Sequence, residues 1–454
     1  MVNKESTIVA LATPQGKAAL AVLRITGPHS YAITEKIVAN KEKLRKTPER
    51  QIQLYEIINS SLAIIDEVTA VKYKTGKSYT GEEMVEIICH GSPSVVKEII
   101  EELYQNGAKP AAKGEFTRRA FLNGKLDLLK AEAIGALIDS QTSKQKESAK
   151  KGLTGNSSRK LQLYREKLIT ILSEIEAQIE FGEEDDIKSI KENPVEKVLK
   201  RLKRELTQEL NRAKKFLSFN SSITIVIAGP PNAGKSSLFN MLLGEQRSIV
   251  YKTPGTTRDS ISEEIEIKGN KIKVIDSAGI RLTNDDIEKI GIERSIKQIE
   301  DANAVLWVTS ACEEFKNEEK QFLENNLQKI VILNKIDISS PNNKKHLLQD
   351  KEIKTIPVSI KEGINTDRVY ETINKIVEQI VSEIETPDIV CSHRQLNLLE
   401  EIVQGLNETH TNIDNEEIAA YYLNSILQKM EEFFGYTASE EILNSIFGRF
   451  CIGK

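Results

Sequence analysis

At 454 residues the chain is long enough for about three domains, each with its own core. Its 63 basic and 67 acidic side chains leave a net charge of −4, so no global field advertises nucleic acid. The start, Met1 to Thr7, carries no signal-peptide pattern, and no apolar run reaches membrane-spanning length. Cys89, Cys312, Cys391 and Cys451 lie far apart with no CxxC or HExxH, which argues against a disulfide or zinc framework and for a cytoplasmic protein.

In chain order, residues 1–118 carry short β-type runs at Thr7–Ala12, Ala19–Ile25, Ala63–Tyr73 and Met84–Cys89, with a helical stretch at Ser94–Asn106. This reads as an α+β domain. Residues 119–220 turn helical: Leu161, Leu168, Leu172, Ile175 and Ile179 recur on one face. After Pro194, suited to a helix start, come Val198, Leu199, Leu202, Leu206 and Leu210. Residues 221–382 read as a nucleotide-binding domain with a doubly wound, mostly parallel sheet. Residues 383–454 return to helical spacing, with Leu396, Leu399, Ile402 and Leu406, then Ile418, Tyr422 and Ile426. The two helical stretches are expected to pack together as one discontinuous all-α domain, with the nucleotide-binding domain inserted between them. The basic stretch Lys197–Arg204 reads as a solvated helix face.

The inserted region carries the most specific chemistry. Gly229-Pro-Pro-Asn-Ala-Gly-Lys-Ser236 follows the apolar run Ile223–Ala228 and matches the phosphate loop GxxxxGK(S/T), placed between a strand and a helix. Its residues Asn232, Ala233, Gly234, Lys235, Ser236 and Ser237 are expected around the phosphates. Lys235 supplies charge to the outer ones, and the Ser236 hydroxyl is placed for Mg²⁺. Asp276, Ser277, Ala278 and Gly279 follow the strand-like Lys271–Ile275, where Asp276 can hold a Mg²⁺-bound water. Asn334-Lys335-Ile336-Asp337 follows Ile330–Leu333, and Asp337 can accept hydrogen bonds from the N1 and N2 groups of guanine. Adenine would leave that carboxylate unpaired, so GTP is favoured over ATP. Val358–Lys361, with Ser359, reads as the loop that closes over the base. Tyr251, Lys252, Thr253, Pro254, Gly255, Thr256 and Thr257 resemble a switch loop, with Thr257 a Mg²⁺ ligand. In Ras-like GTPases a glutamine after the Asp-x-x-Gly motif orients the attacking water. Here that position is Ile280, whose side chain can neither donate nor accept a hydrogen bond, so another group must act.

Taken together, the motifs resemble the MnmE (TrmE) family of GTPases that modify the tRNA wobble uridine. Gly255-Thr-Thr-Arg-Asp259, Asp276-Ser-Ala-Gly-Ile-Arg281 and Ile290-Gly-Ile-Glu293 carry the resemblance inside the G domain. Thr80-Gly-Glu82, Gly114-Glu-Phe-Thr-Arg-Arg-Ala-Phe-Leu-Asn-Gly-Lys-Leu-Asp127, Ile179–Ile187 and the tail Phe450-Cys-Ile-Gly-Lys454 carry it elsewhere.

The resemblance implies a K⁺-activated G domain, with K⁺ held by Asn232, Tyr251, Thr253 and Thr256 and neutralising transition-state charge. Tyr251 departs from the Thr or Ser common there, which is harmless if only its carbonyl serves. It implies Glu288 as the residue that positions water, against a plain reading of Asp285, Asp286 and Glu288 as a solvated acidic cluster. It implies an N-terminal domain resembling tetrahydrofolate-binding enzymes. A formyl- or methylene-folate would there be met by Arg24, Glu82, Lys125 and Lys454, with Glu83 the alternative to Glu82. Cys451 is a candidate nucleophile or thiol acid, or an inert terminal cysteine; Cys-Ile-Gly-Lys fits a prenylation box poorly. Family membership further implies a homodimer, an MnmG-type flavoprotein partner that carries FAD, and tRNA as substrate. A ribosome-assembly GTPase of the Era type, an RNA-binding switch, would share the G motifs but not the folate-like domain or the tail.

Overall fold

The computed structural model describes residues 6–181, 194–219, 223–245, 261–267, 270–276, 299, 302–313, 329–339 and 354–454. These form two units, one of Met1–Asp139, Ala149–Leu210 and Asp388–Lys454, the other of Ser140–Ser148 and Asn211–Pro387.

A period of two builds the first sheet. Strands β1 (Ile8–Leu11), β2 (Leu20–Thr26), β3 (Gln53–Ile58), β4 (Ile64–Tyr73), β5 (Met84–His90) and β6 (Lys109–Pro110) lie in the order β3-β4-β5-β2-β1-β6. All pairs are antiparallel except β1 with β6. Ala21, Leu23 and Ile25 of β2 are buried opposite Cys89, Ile87 and Val85 of β5. Helices α1 (Ser30–Ile37), α2 (Lys41–Lys46) and α3 (Pro93–Gln105) close that face with Ile33, Ile37, Leu44, Ile99 and Leu103. Each such side chain contributes roughly 1.5–3 kcal/mol on leaving water. β1 divides its side chains between two cores: Val9 joins the first, while Ile8 and Ala10 pack against Phe116 of α4 (Glu115–Leu122).

Next come α5 (Leu128–Asp139), α6 (Ser143–Leu153), α7 (Asn156–Phe181) and α8 (Pro194–Phe219). Along α7 the apolar stripe buries Leu161, Leu168, Leu172 and Ile175, but Ile179 is exposed. On α8 Leu199, Leu202, Leu206 and Leu210 are buried, whereas Val198 is exposed and is not part of the stripe. Both residues lie near a helix end.

In the second unit, β7 (Ile223–Ala228), β8 (Ile261–Ile267), β9 (Asn270–Asp276), β10 (Ala304–Ser310), β11 (Lys329–Asn334) and β12 (Lys354–Pro357) lie in the order β12-β11-β10-β7-β9-β8. Every pair is parallel except β8 with β9. The central strands β7, β10 and β11 are apolar on both faces, as a parallel sheet covered on both sides requires, whereas the edge strand β8 carries Glu264 and Glu266. One face packs Leu238, Phe239 and Leu242 of α9 (Lys235–Glu245) and Val369, Ile373 and Val377 of α10 (Thr366–Glu383). The other gathers Val226, Ala228, Ile275 and Val305 around Ile299.

The chain then returns to the first unit with α11 (His393–Thr411), α12 (Glu416–Phe434) and α13 (Glu440–Phe447). Ser392, Asn415 and Ser439 cap these helices by accepting hydrogen bonds from the amides of Gln395, Ile418 and Ile442. Leu399, Ile402 and Leu406 of α11 are buried, with Leu396 half-buried. On α12 the buried stripe is Ala419, Ala420, Leu423, Ile426 and Met430; Ile418 is exposed and Tyr422 half-buried. Small alanines carry the inner face of the first turn, so the bulky Ile418 and Tyr422 mislead a reading by side-chain size. No described helix is long and apolar enough to cross a membrane.

Candidate nucleotide site and the tail region

Four strands of the second sheet end at one edge, and the loops that follow them carry the expected nucleotide ligands. β7 sits between β10 and β9, so the loop leaving it opens at the switch point of the sheet. Gly229 and Gly234 take φ of 142° and 103°, conformations that L side chains rarely adopt. A Cβ on Gly229 would strike the Val308 carbonyl, and one on Gly234 the Asn334 amide. Asn232 is left-handed as well, at φ 62°. The loop therefore presents backbone amides and the start of α9, where the helix dipole favours an anion.

Lys235 folds back over this loop, its Nζ donating to the Gly229 and Pro230 carbonyls at 2.9 Å each. Burial lowers its pKa, with Asp276 opposing the shift. Ser236 Oγ donates to Asp276 Oδ2 at 3.0 Å. Asp276 is 3% exposed, and its buried Oδ1 has no hydrogen-bond partner among the described residues. A hydroxyl beside a carboxylate oxygen left without a partner suits a hard cation that keeps water ligands, so the pair fits Mg²⁺.

Asn334, 5% exposed, ties two loops together: its Nδ2 donates to the Ala233 carbonyl at 2.9 Å and its Oδ1 accepts from the Ile360 amide at 3.2 Å. Asp337 is exposed, and a hydrogen bond from Ser359 holds its carboxyl below the usual range. Lys335 takes φ 66° next to it. Phosphate loop, Asn334–Ile338 and Ser359–Lys361 bound one cleft of about 780 Å³, within the roughly 300–1,000 Å³ of small-molecule sites. Asn232, Gly234, Lys235, Ser236, Ser237, Asn334, Lys335, Asp337 and Ser359 all line it. Ala233 does not; it is 1% exposed and packs into the core beneath. The expected positions Tyr251 to Thr257, Ser277, Ala278, Gly279 and Glu288 lie outside the described residues.

The first unit holds a second gathering of charge. Arg24 on β2 donates through Nε and Nη2 to Glu86 Oε1 at 2.9 and 2.8 Å, and through Nη1 to the Gly453 carbonyl at 3.3 Å. Its guanidinium lies 5.4 Å from the Tyr79 ring centroid and 5.8 Å from that of Phe116. The tail is fastened to α4: Gly114 N–H donates to the Cys451 carbonyl at 3.4 Å, and Phe116 N–H to the Lys454 carbonyl at 3.2 Å. Gly453, at φ 91°, comes so close to Leu11 that a Cβ would strike its carbonyl. Glu82 Oε2 accepts from Thr26 Oγ1 and from Nη1 of the buried Arg119, both at 3.1 Å. Arg119 also pairs with Glu115 at 2.8 Å. Glu83 is half-buried with its carboxyl raised by burial, and no side-chain hydrogen bond or ion pair engages it among the described residues. Lys125 Nζ donates to the Gly76 carbonyl at 3.0 Å. Cys451 is exposed and lines a small hollow of about 190 Å³ with Ser392, Asp139 and Arg449.

Residues 7–125 match the family described as GTP-binding protein TrmE N-terminus, and residues 128–451 match the MnmE helical domain. A tRNA modification GTPase MnmE of Thermotoga maritima is 37% identical over 99% of this chain and 100% of its own length. That of Aquifex aeolicus is 37% identical over 98% of this chain and 99% of its own. The chain belongs to the MnmE family of tRNA modification GTPases. Among solved structures, Aquifex aeolicus Era bound to GDP.AlF4- is 28% identical, covering 34% of this chain and 56% of that one. Its TM-score of 0.29 is too low to bear on the fold.

Arg24 contacts the tail at Gly453, one residue before Lys454, and Glu82 reaches α4, to which the tail is fastened, through Arg119. Lys125 stands apart on a loop carbonyl. What the sequence reading missed is the inner ring of Thr26, Tyr79, Phe116 and Arg119. Phe116 and Arg119 sit inside the quoted 114–127 segment, whose FxxR spacing puts them on one face of a helix.

Proposed function

We infer that the chain hydrolyses GTP in the 780 Å³ cleft and that this turnover serves modification of the tRNA wobble uridine at C5. The observation that carries the reading is the convergence of Lys235, the Ser236–Asp276 pair and Asp337–Ser359 on one sheet edge. Lys235 would exchange its two loop carbonyls for phosphate oxygens. Mg²⁺ would be held by Ser236 and Thr257, with Asp276 reaching it through water, and would neutralise phosphate charge. Asp337 would read guanine. K⁺ at Asn232, Tyr251, Thr253 and Thr256 would take the part of an arginine finger, and Glu288 would orient water where Ile280 cannot.

A one-carbon folate is proposed for the first unit. Arg24 is already paired with Glu86, and Glu82 with Arg119. Glu83, without a side-chain partner among the described residues, is therefore the better acidic contact for a pterin, with Lys125 and Lys454 available to a glutamate tail. The aromatic pair Tyr79 and Phe116 around Arg24 offers an apolar wall for a ring. Cys451 is proposed as a thiol in group transfer. The protein would act in the cytoplasm as a homodimer with an MnmG-type flavoprotein, FAD residing on that partner.

Hydrolysis of GTP and ATP, compared in K⁺ and Na⁺, tests the reading. GTP turnover that needs K⁺ and is lost by Asp337→Asn in favour of xanthosine triphosphate is expected. Equal turnover of ATP and GTP would contradict it.

A further inference from the structure

The chain as a whole is close to neutral, yet the first unit sorts its exposed charge by helix. On α8, between Glu196 and Leu210, Lys197, Lys200, Arg201 and Arg204 are exposed, while Glu196 and Glu205 are half-buried and Glu209 is buried. Every fully exposed charge on that stretch is therefore a cation. On α11 and α12 the sign reverses: apart from His393, the fully exposed charged side chains are Glu401 and Glu417.

Helical spacing turns the cations into a strip. At 3.6 residues per turn, Lys197, Lys200, Arg201 and Arg204 fall within roughly 100° of the helix circumference, opposite the buried Leu199, Leu202, Leu206 and Leu210. Lys200 pairs with Glu196 at 2.7 Å and Arg201 with Glu205 at 2.8 Å, each one turn away on the same helix and open to solvent, where such pairs contribute little. Lys197, Arg204 and the half-buried Lys203 have no ion pair or side-chain hydrogen bond among the described residues. The positive field reaches beyond α8. The Arg201 hydrogen bond holds the Glu205 carboxyl below its usual range against burial, and Lys167 and Lys160 of α7 pull the same way.

Solvation alone asks for polar groups on this face, not for one sign of charge. Like charges a turn apart repel and weaken a helix, a cost that a mixture of acids and bases avoids. The density of the strip fits an extended polyanion. Lys197 to Arg204 spans roughly 10 Å by the rise per residue, which spaces the four cations close to the 3.4 Å per charge of a nucleic-acid strand. A lipid surface fits less well: the leucine face of α8 is buried, and Val198 alone among the described apolar side chains of this stretch is exposed to enter a bilayer.

We propose that Lys197, Lys200, Arg201 and Arg204, with Lys203 at the edge, form a docking strip for the phosphate backbone of the tRNA substrate. The strip meets phosphates and no bases, so it supplies affinity and orientation, not choice of nucleotide. The proposal rests on the reading that the chain serves tRNA modification.

The test measures binding of unmodified tRNA to the full chain by fluorescence anisotropy, between about 50 and 200 mM salt. Wild type is compared with a fourfold variant, Lys197→Gln, Lys200→Gln, Arg201→Gln and Arg204→Gln together. A control variant exchanges Lys36, Lys41, Lys46 and Lys97 of α1–α3, equally exposed, for Gln. The strip predicts at least tenfold weaker binding by the fourfold variant at the low-salt end. Its plot of log affinity against log salt should be shallower by about 3, with the control like wild type. The loss should be equal for tRNAs with uridine and with cytidine at the wobble position, and phosphate release from GTP should stay within about twofold of wild type. Should the fourfold variant not fold, the four single variants carry the test, each flattening the slope by about 0.7–0.9.

Unchanged affinity and slope overturn the strip, as does an equal loss in the control or a loss confined to tRNA with wobble uridine. Normal tRNA binding with lost binding to phosphatidylglycerol vesicles or to the flavoprotein also overturns it, in favour of that partner. So does a wild type that shows no salt-dependent tRNA binding. Nucleoside mass spectrometry of cells complemented with the wild-type chain separates the two levels. If wobble uridine stays unmodified there, the functional reading falls; if it is modified and the fourfold variant binds tRNA as wild type does, only the strip falls.

Discussion

The nucleotide cleft and the region around the C-terminal tail spend their charges in opposite ways. In the cleft the groups face open space or weak partners: Lys235 rests on two carbonyls, Asp337 is exposed, and Asp276 keeps a buried oxygen without a partner among the described residues. Around the tail nearly every charge is already matched, Arg24 with Glu86 and Arg119 with Glu82 and Glu115. A ligand entering the cleft therefore completes unsatisfied groups, whereas one entering the second region must share or displace bonds that hold the protein together. The first arrangement suits a ligand bound and released each cycle. The second suits a cofactor whose site is also part of the fold.

That contrast is sharpest in stability. Arg119→Ala should destabilise the first unit by about 3–5 kcal/mol, since it leaves Glu82 and Glu115 partly buried without their cation. Thermal and urea unfolding would measure it; a loss below about 1 kcal/mol would mean these charges are not structural. Next in size, Lys235→Ala should slow GTP hydrolysis about 100-fold or more while leaving the unfolding transition nearly unchanged, checked by phosphate release and calorimetry. Parallel loss of stability would erase the distinction between the regions. Gly453→Ala should come third. A Cβ there meets the Leu11 carbonyl at a left-handed φ, so the tail shifts, and wobble modification should fall roughly tenfold with hydrolysis intact. Retained modification would show that the tail need not dock.

The smallest effect is one of pH. Asp388 receives Lys151 Nζ on Oδ1 at 2.8 Å and Lys160 Nζ on Oδ2 at 2.6 Å. Against the effect of burial, these lysines depress its carboxyl from the ordinary 3.8 to about 2 in the folded protein, so the stability it gives is present above about pH 4 and is lost as pH falls toward 2. Its side chain is 36% exposed, so screening limits the contribution to about 1 kcal/mol. Melting curves between pH 4.5 and 2.5 should show a shallower acid limb for Asp388→Asn than for the wild type. Identical limbs would remove the ion pairs from the account.

The same difference decides how much could be read beforehand. The cleft was legible because each piece is contiguous and follows an apolar strand: Ile223–Ala228 before the phosphate loop, Ile330–Leu333 before Asn334-Lys335-Ile336-Asp337. Strand ends then bring the pieces together without further instruction. Around the tail, Arg24 was anticipated, but its partner Glu86 sits 62 residues away and its contact Gly453 at 429, distances across which no pattern speaks. The pairing of Glu82 with Arg119, 37 residues on, is equally invisible in the local sequence. The α12 stripe slipped for another reason: Ala419 and Ala420 are buried, and small side chains give a weak hydrophobic signal beside Ile418 and Tyr422. The strand β3 went unread because its alternation is imperfect, with Leu54 exposed on an edge strand.

The most direct measurement is nucleoside mass spectrometry of tRNA from cells lacking this chain, complemented with the intact chain or with a version ending at Phe450. The account predicts that the intact chain restores a carboxymethylaminomethyl- or aminomethyl-type wobble uridine and that the shortened one does not, though it still hydrolyses GTP. Wobble uridine that is identical with and without the chain would contradict it, and would direct attention to an Era-type role in ribosome assembly.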